Sequence, residues 1–224
     1  MSWPLLTSLQ DDWTKTPNLA VNNVKFVTSL LDTLEATYCI DKHRIFATGK
    51  SDGGGMVGQL ACDATISQRI AAFAPVAGAF YVDLSESADA ACRPDAIAVP
   101  CNPGRARVPI LEIHGVKDHT IRYKGGARRH QCLPSIPNWV RQWAARNGLG
   151  SANTSYALTA DTTVYEFGAA ANASGVVTHI ADRKLGHDWP STVDNKDNVR
   201  RGNKPASFNA SSIIIEFFRK NPLA

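Results

Sequence analysis

The segment around Ser51 constrains this chain most, because it joins a strand, a sharp turn and a helix. It reads Arg44-Ile-Phe-Ala-Thr-Gly-Lys-Ser-Asp-Gly-Gly-Gly-Met56. A G-x-S-x-G sequence between an apolar strand and a helical pattern is typical of a nucleophile elbow, where a strained backbone exposes the serine hydroxyl. Gly49 and Gly53 are expected to avoid collisions with the neighbouring strand and helix. The pattern indicates a serine hydrolase with Ser51 as nucleophile; the alternative is a glycine-rich turn without chemistry.

The order of the candidate partners supports this prediction. On the α/β-hydrolase fold the acid and then the histidine follow the serine in the chain. A short apolar strand that begins at Val108 ends in a loop that carries Asp118. A second strand, 176–180, precedes a Gly- and Pro-punctuated loop that carries His187. We therefore predict Asp118 as the acid and His187 as the base, although each alone would be an ordinary loop residue.

These residues predict a definite chemistry. His187 would take the proton of Ser51 during attack on an ester carbonyl, and Asp118 would fix the imidazole tautomer. The backbone N–H of Asp52 would bind the oxyanion. His114 competes as base, because His-Gly resembles an esterase oxyanion loop, but its position after the nucleophile strand predicts a structural role at a strand end. Surface or packing roles are expected for the other histidines: His43, His119, His130 and His179.

Several further segments resemble one family, the secreted fungal feruloyl esterases, which are related to acetylxylan esterases and polyhydroxybutyrate depolymerases. The resemblance runs from about Asn22 to the C-terminus and rests on five segments: 38–41 (YCID), 101–105 (CNPGR), 123–129 (YKGGARR), 132–137 (CLPSIP) and 186–191 (GHDWPS), together with Gly148-Leu-Gly. It implies hydrolysis of hydroxycinnamate esters, such as ferulate or p-coumarate on plant cell-wall polysaccharide. It also implies that Ser51, Asp118 and His187 are the catalytic residues.

Strands and helices alternate along the chain. Helices are expected over 22–38, after Ser51, near 137–147 and near 207–220; strands over 71–77, from Val108, near 163–167 and over 176–181; and a loop over 78–107. Such alternation predicts an α/β class, the α/β-hydrolase fold, with a mainly parallel sheet and helices on both faces. The length of 224 residues fits a single esterase domain over 1–224.

The N-terminal part of the chain is the exception to this pattern. Residues 1–43 hold one helical pattern and almost no strand, and 5–9 is at best a short helical turn, whereas this fold has strands before the nucleophile strand. We expect the fold to be N-terminally incomplete. The family resemblance implies the same, because relatives carry a long segment before the region that matches Trp13, including the strand that supplies a second oxyanion donor.

Composition excludes several other classes. The net charge of +4 is mild and the basic residues are scattered, which does not favour nucleic acid as a partner. No run of eighteen apolar residues is present, so we expect no membrane partner. The acids and histidines lack metal-ligand spacing, and neither a metal nor a cofactor is expected.

The five cysteines have no zinc or redox spacing, so disulfides in an oxidising compartment are the better interpretation. Cys92 and Cys101 bracket a loop and are the first candidates for a bridge; the odd number predicts one unpaired cysteine. Three N-x-S/T sequences occur, at Asn153, Asn172 and Asn209. Together with the resemblance, these features predict a secreted protein, although no signal peptide is recognisable.

Substrate specificity is less constrained by the sequence. Trp189 beside His187 is a candidate for the wall of an aromatic pocket, and Tyr123 is a candidate for its rim. Trp139 and Trp143 are spaced i, i+4, which is more typical of core packing. The feruloyl substrate rests on the resemblance alone. An acetylxylan or polyhydroxyalkanoate esterase, and a non-catalytic remnant without a full oxyanion hole, remain alternatives.

Overall fold

The computed structural model describes residues 23–84 and 88–223, which belong to a unit ending at Ile40 and a second unit beginning at Asp41. In the first unit, helix α1 spans Asn23–Thr37, close to the predicted range. Its threonine hydroxyls donate to carbonyl oxygens one turn earlier, as Thr28 does to Val24 at 2.9 Å. The predicted turn at 5–9 lies outside the described residues.

The second unit contains a six-stranded sheet and a separate two-stranded hairpin. The described strands are, in chain order, β1 (Phe46–Lys50), β2 (Ala72–Val76), β3 (Ile110–Gly115), β4 (Gly126–Arg128), β5 (Gln131–Leu133), β6 (Asn153–Ala157), β7 (Thr162–Phe167) and β8 (Val177–Asp182). The large sheet has the order β1-β2-β3-β8-β7-β6. Its first four strands are parallel, whereas β7 and β6 run antiparallel to their neighbours. The mostly parallel sheet agrees with the predicted class.

Helices flank this sheet. In the described part of the second unit they are α2 (Asp52–Cys62), α3 (Ala88–Ala91), α4 (Ile136–Arg146), α5 (Lys196–Arg200) and α6 (Ala210–Lys220), with 3-10 turns at Lys42–Arg44, Ile66–Gln68 and Ala169–Ala171. None of the helices in 23–84 and 88–223 combines the length and the apolar character that a membrane crossing requires.

The two faces of the sheet pack against different helices. Alternate residues of β2 and β3, such as Ala74 and Ile113, form one buried cluster with Ile214 and Phe217 of α6. Side chains between them in sequence point to the opposite face. There Phe80 stacks on Trp139 of α4 at a centroid distance of 3.8 Å. Trp139 and Trp143 are buried in this core, as their helical spacing predicted.

The disulfides differ from the predicted local bridge. Cys62 pairs with Cys101 and Cys92 pairs with Cys132, so the prediction of a Cys92–Cys101 bridge is wrong. The loop that contains Cys101 runs back to the end of α2, where the N–H of Asn102 donates to the carbonyl of Cys62 at 3.1 Å. Cys132 lies on β5, and the described chain leaves Cys39 exposed and without a disulfide partner.

Several elements carry no sequence signal that predicts them. Every residue of β6 is exposed, so this strand lacks the alternation of apolar and polar residues that marks a half-buried strand. The hairpin β4–β5 turns through Arg129 and His130, whose φ angles are 51° and 61°. Such turns usually contain Asn-Gly or Asp-Gly, so a turn made of Arg-His gives no sequence signal for the hairpin.

Candidate active site

Ser51 lies between β1 and α2 in a conformation that L-amino acids rarely adopt. Its φ is 59° and its ψ is −122°. Neighbouring strands and loops hold it there, because its N–H donates to the carbonyl of Val76 at 3.0 Å and its own carbonyl accepts from Gly55 and Ala79, each at 3.0 Å. Strain that persists under such constraints is characteristic of functional sites.

The two motif glycines do not have the same role. A Cβ atom on Gly49 would lie 2.7 Å from the carbonyl carbon of Gly53, so this turn requires glycine at position 49. A Cβ atom on Gly53 would meet nothing within 4 Å, and the expectation that Gly53 avoids a collision is wrong. The close approach occurs instead at Gly54, where a Cβ atom would lie 2.8 Å from the Cα atom of Gly78.

Asp118 occupies the loop that follows β3 and is 3% exposed. Its Oδ1 accepts hydrogen bonds from the backbone N–H groups of Thr120 and Ile121, both at 2.8 Å. These two donors fix the carboxylate and leave Oδ2 facing His187. Burial alone would raise the pKa of Asp118, but the hydrogen bonds and charges of His114 and His187 outweigh it and hold the pKa well below the ordinary value of 3.8.

His187 occupies the loop after β8, which is anchored at both sides. Asp182 Oδ1 accepts from the N–H groups of Lys184 and Leu185, each at 2.8 Å. Gly115 lets this loop approach the end of β3, since a Cβ atom there would lie 2.2 Å from the carbonyl oxygen of Leu185. The anchored loop brings His187 over the carboxyl ends of the parallel strands.

The three predicted residues lie together in hydrogen-bond geometry. His187 Nδ1 is 2.6 Å from Asp118 Oδ2, and His187 Nε2 is 2.9 Å from Ser51 Oγ. With its proton on Nδ1, His187 donates to the carboxylate and presents a lone pair on Nε2 to the serine hydroxyl. His187 is 5% exposed. This arrangement can remove a proton from Ser51 and stabilise the resulting imidazolium.

Asp52 is the first residue of α2. The backbone N–H groups in the first turn of a helix have no acceptor within the helix, and the helix dipole favours negative charge there. The main-chain position of Asp52, directly after Ser51, is therefore compatible with the predicted oxyanion contact. Its carboxylate lies 3.6 Å from the Arg129 guanidinium.

The predicted pocket residues make their described contacts elsewhere. Trp189 packs against the buried cluster beneath α6, and its indole N–H donates to Ser211 Oγ at 3.1 Å. Tyr123 lies behind the acid loop, where its hydroxyl is 2.9 Å from His179 Nε2. The structure brings neither side chain into a described contact with Ser51, so their contribution to substrate binding stays a prediction.

A buried group of titratable residues behind Asp118 was not predicted as a unit. Glu112 and His114 are both fully buried on β3, and His114 Nδ1 lies 2.9 Å from Glu112 Oε1. His179, on the neighbouring strand β8, places Nδ1 2.8 Å from Glu112 Oε2. The sequence signal for this group is the presence of Glu112 and His114 inside an otherwise apolar strand.

A second unpredicted contact joins the serine strand to the histidine loop. Lys50, which precedes Ser51, lies 2.5 Å from Asp197 Oδ2. The same oxygen accepts from the backbone N–H of Trp189 at 2.7 Å. Asp197 therefore ties the residues on either side of the site to each other, and its pKa is lowered because the contacts with Lys50 and Trp189 outweigh the effect of burial.

Over part of its length the chain is similar to fungal proteins named as feruloyl esterases. It is 28% identical over 134 residues to feruloyl esterase B of Piromyces equi, covering 57% of this chain and 22% of that protein. Against probable feruloyl esterase C of Aspergillus clavatus it is 28% identical over 104 residues, covering 46% of this chain and 31% of the relative.

The corresponding protein of Aspergillus oryzae is 25% identical over 134 residues, or 60% of this chain and 43% of the relative. The chain thus spans about a fifth to two fifths of the length of these curated relatives. The covered share of the chain is smaller than the region from Asn22 onward over which the resemblance was expected. No family model matches the chain.

Proposed function

We propose that this chain is a serine carboxylic-ester hydrolase of the α/β-hydrolase fold, forming one catalytic domain. One observation carries the proposal: His187 lies 2.6 Å from Asp118 Oδ2 and 2.9 Å from Ser51 Oγ. The strained backbone of Ser51 at a strand-to-helix turn supports it, and so does the similarity to proteins named as feruloyl esterases.

The reaction proceeds through an acyl-enzyme. Ser51 Oγ attacks the ester carbonyl carbon while its proton passes to His187 Nε2, and Asp118 stabilises the imidazolium. The Asp52 N–H donates to the oxyanion that forms on the carbonyl oxygen. Collapse of the tetrahedral intermediate breaks the bond to the leaving alkoxide, which takes the proton from His187. A water molecule, deprotonated by His187, then attacks the acyl-enzyme and releases the acid and free Ser51.

For the substrate we propose hydroxycinnamate esters, such as ferulate or p-coumarate linked to plant cell-wall polysaccharide. This choice rests on the names of the relatives. Acetylxylan and polyhydroxyalkanoate esters are the alternatives within the same chemistry. Hydrolysis rates for methyl ferulate and for an acetyl ester of comparable leaving group separate them: preference for the cinnamoyl ester supports the proposal, and preference for acetyl refutes it.

A secreted location follows as part of the proposal. Two disulfides are typical of proteins that fold in an oxidising compartment. Two of the three N-x-S/T acceptors, Asn153 and Asn172, are exposed. The third, Asn209, caps α6 through a hydrogen bond from the N–H of Ser212 at 3.1 Å and is less exposed.

The test of the catalytic proposal is hydrolysis of methyl ferulate by the chain and by its Ser51→Ala and His187→Ala variants. Each substitution is expected to lower kcat by about 10⁴-fold or more, because the catalytic group loses its nucleophile or its base. A fluorophosphonate probe reports activation of Ser51 independently of the substrate. Failure to label a folded chain would favour a non-catalytic protein, and unchanged turnover in either variant would refute the assignment.

A further inference from the structure

The buried cluster behind Asp118 consists of Glu112, His114, His179 and Tyr123. Glu112 and His114 are fully buried and His179 is 3% exposed. Burying a carboxylate and imidazoles costs free energy unless their charges and hydrogen bonds are matched. The protonation state of each member is therefore fixed by what its neighbours can donate or accept.

With Glu112 ionised, the contacts of His114 require two protons. Its Nε2 lies 2.8 Å from the carbonyl oxygen of Ile121 and 3.4 Å from Asp118 Oδ2, and its Nδ1 lies 2.9 Å from Glu112 Oε1. A carbonyl oxygen can only accept, so Nε2 carries a hydrogen. An ionised Glu112 can also only accept, so Nδ1 carries another. A neutral imidazole has a single N–H and cannot make both contacts.

The remaining neighbours are consistent with an ionised Glu112. His179 Nδ1 lies 2.8 Å from Glu112 Oε2 and 3.3 Å from the Glu112 carbonyl oxygen. The Tyr123 hydroxyl is 2.9 Å from His179 Nε2 and can donate to it. His179 Nδ1 is hydrogen-bonded to the Glu112 carbonyl oxygen, and Oε2 lies beside it but has no hydrogen-bond partner among the described residues. Burial raises the pKa of Glu112, but the charge and hydrogen bond of His114 outweigh that effect and lower it.

The pKa of His114 is also set by burial acting against charges and hydrogen bonds, but here the charged form is the cation. Burial lowers the pKa of His114, whereas the charge of Glu112 and the contacts with Asp118 and Glu112 raise it to about 10. The charged and titratable groups that face it are Glu112 on its own strand, Asp118 in the loop after that strand, and Tyr123, whose ring centroid lies 5.9 Å away. Two carboxylates thus face one cation.

We propose that His114 is a buried imidazolium at neutral pH, held by Glu112, and that this cation keeps Asp118 ionised and oriented toward His187. His114 and Glu112 are positioning residues, because they act on the reaction through Asp118. The kinetic part of this inference rests on the proposed function. The protonation state does not, and it can be measured on a chain without esterase activity.

The first measurement is the ¹⁵N–¹H correlation spectrum of the imidazole nitrogens in the full chain. His114 is expected to show two protonated ring nitrogens between about pH 6 and about pH 9, a range in which an ordinary histidine loses one proton. The His114→Gln variant assigns the signals. The spectrum of a neutral tautomer for His114 at pH 7 would overturn the proposal.

The second measurement uses Glu112→Gln, which removes the countercharge with little change in shape. The new amide can donate to His114 Nδ1 and accept from His179 Nδ1, so the packing contacts survive. His114 is expected to become neutral, with its proton on Nε2 facing the Ile121 carbonyl. Loss of the cation near His187 lets the protonated, inactive base persist to higher pH. The inflection on the acid side of the plot of kcat against pH then shifts to higher pH by on the order of one unit, and KM is unchanged.

The matched control is His119→Gln, which removes an exposed histidine beside Asp118 and is expected to leave the profile in place. A Glu112→Gln variant with neutral His114 and an unshifted profile would overturn the positioning role. If that variant does not fold, the spectrum of the unaltered chain decides the protonation state. Absence of any Ser51-dependent hydrolysis would refute the proposed function and would leave the spectroscopic result standing.

Discussion

Replacing Asp118 with asparagine tests the role of the acid with little change in volume. One side of the group is fixed, because Oδ1 accepts from the N–H groups of Thr120 and Ile121 at 2.8 Å each. An amide must keep its oxygen on that side, since an NH₂ group there would face two donors. The amide nitrogen of the Asp118→Asn variant is thereby directed at His187 Nδ1, to which it can only donate.

The consequence is a reversed tautomer. His187 would accept at Nδ1 and carry its proton on Nε2, which lies 2.9 Å from Ser51 Oγ in the unaltered chain, so no lone pair is available for the serine proton. Loss of the correct tautomer costs about 10⁴-fold in kcat in serine hydrolases. At a factor of ten for each 1.4 kcal/mol, the barrier rises by about 5.5 kcal/mol.

The assay is steady-state hydrolysis of methyl ferulate near neutral pH, with thermal unfolding of the same sample to establish that the variant is folded. Asp63→Asn is the matched control, because Asp63 Oδ1 also accepts from two backbone N–H groups, of Thr65 at 2.9 Å and Ile66 at 2.8 Å, and Asp63 follows the end of α2 opposite Ser51. Its activity should be unchanged. A loss of less than about tenfold in a folded Asp118→Asn variant would refute the tautomer argument.

Three further outcomes are expected. The Gly49→Ala substitution forces a Cβ atom to 2.7 Å from the Gly53 carbonyl carbon. It should abolish activity and lower the free energy of unfolding, measured in urea, by about 2 kcal/mol. The Gly53→Ala substitution should preserve both the activity and the stability. Replacing Cys62 and Cys101 by serine opens a bridge with a sequence separation of 39 and should lower the free energy of unfolding by about 4 kcal/mol; a loss under about 1 kcal/mol would contradict the loop-entropy argument. The pKa of His114 is raised from 6.5 to about 10, so its contribution to stability is fully present below pH 6.5 and is lost as the pH rises through 10; urea titrations at a series of pH values should show this decline, and a flat profile would refute it.

The strands that could be predicted from the sequence are the buried ones that contain a run of apolar residues. Strands β2, β3 and β8 are buried along their whole length; β2 is an apolar run, whereas β3 and β8 combine apolar residues with buried polar ones. The exposed strand β6 and the hairpin through Arg129 and His130 have no such pattern. The disulfides were mispredicted because nearness in sequence favoured Cys92–Cys101, whereas the return of the loop to α2 determines the pairing.

The residues of the candidate site were predictable because parallel strands present their carboxyl ends at one edge of the sheet. Ser51, Asp118 and His187 each follow such an end, after β1, β3 and β8, so their order along the chain was sufficient to place them together. The contacts of Trp189 and Tyr123 were not predictable. A loop side chain beside a catalytic residue can turn to either side, and sequence proximity does not determine which side it takes.

The buried cluster of Glu112, His114, His179 and Tyr123 was predictable in part. Glu112 and His114 are two residues apart on a strand and therefore share a face, which the sequence alone implies. Their partner is set by the register, in which Glu112 of β3 lies opposite His179 of β8. Once that register is known, one carboxylate must face two imidazoles in a buried site, and a matched arrangement of protons lowers the cost of burying them. The proposed charge that supports Asp118 thus comes from two residues on the same face of one strand, and a residue such as Glu112 within an otherwise apolar strand is the sequence signal for it.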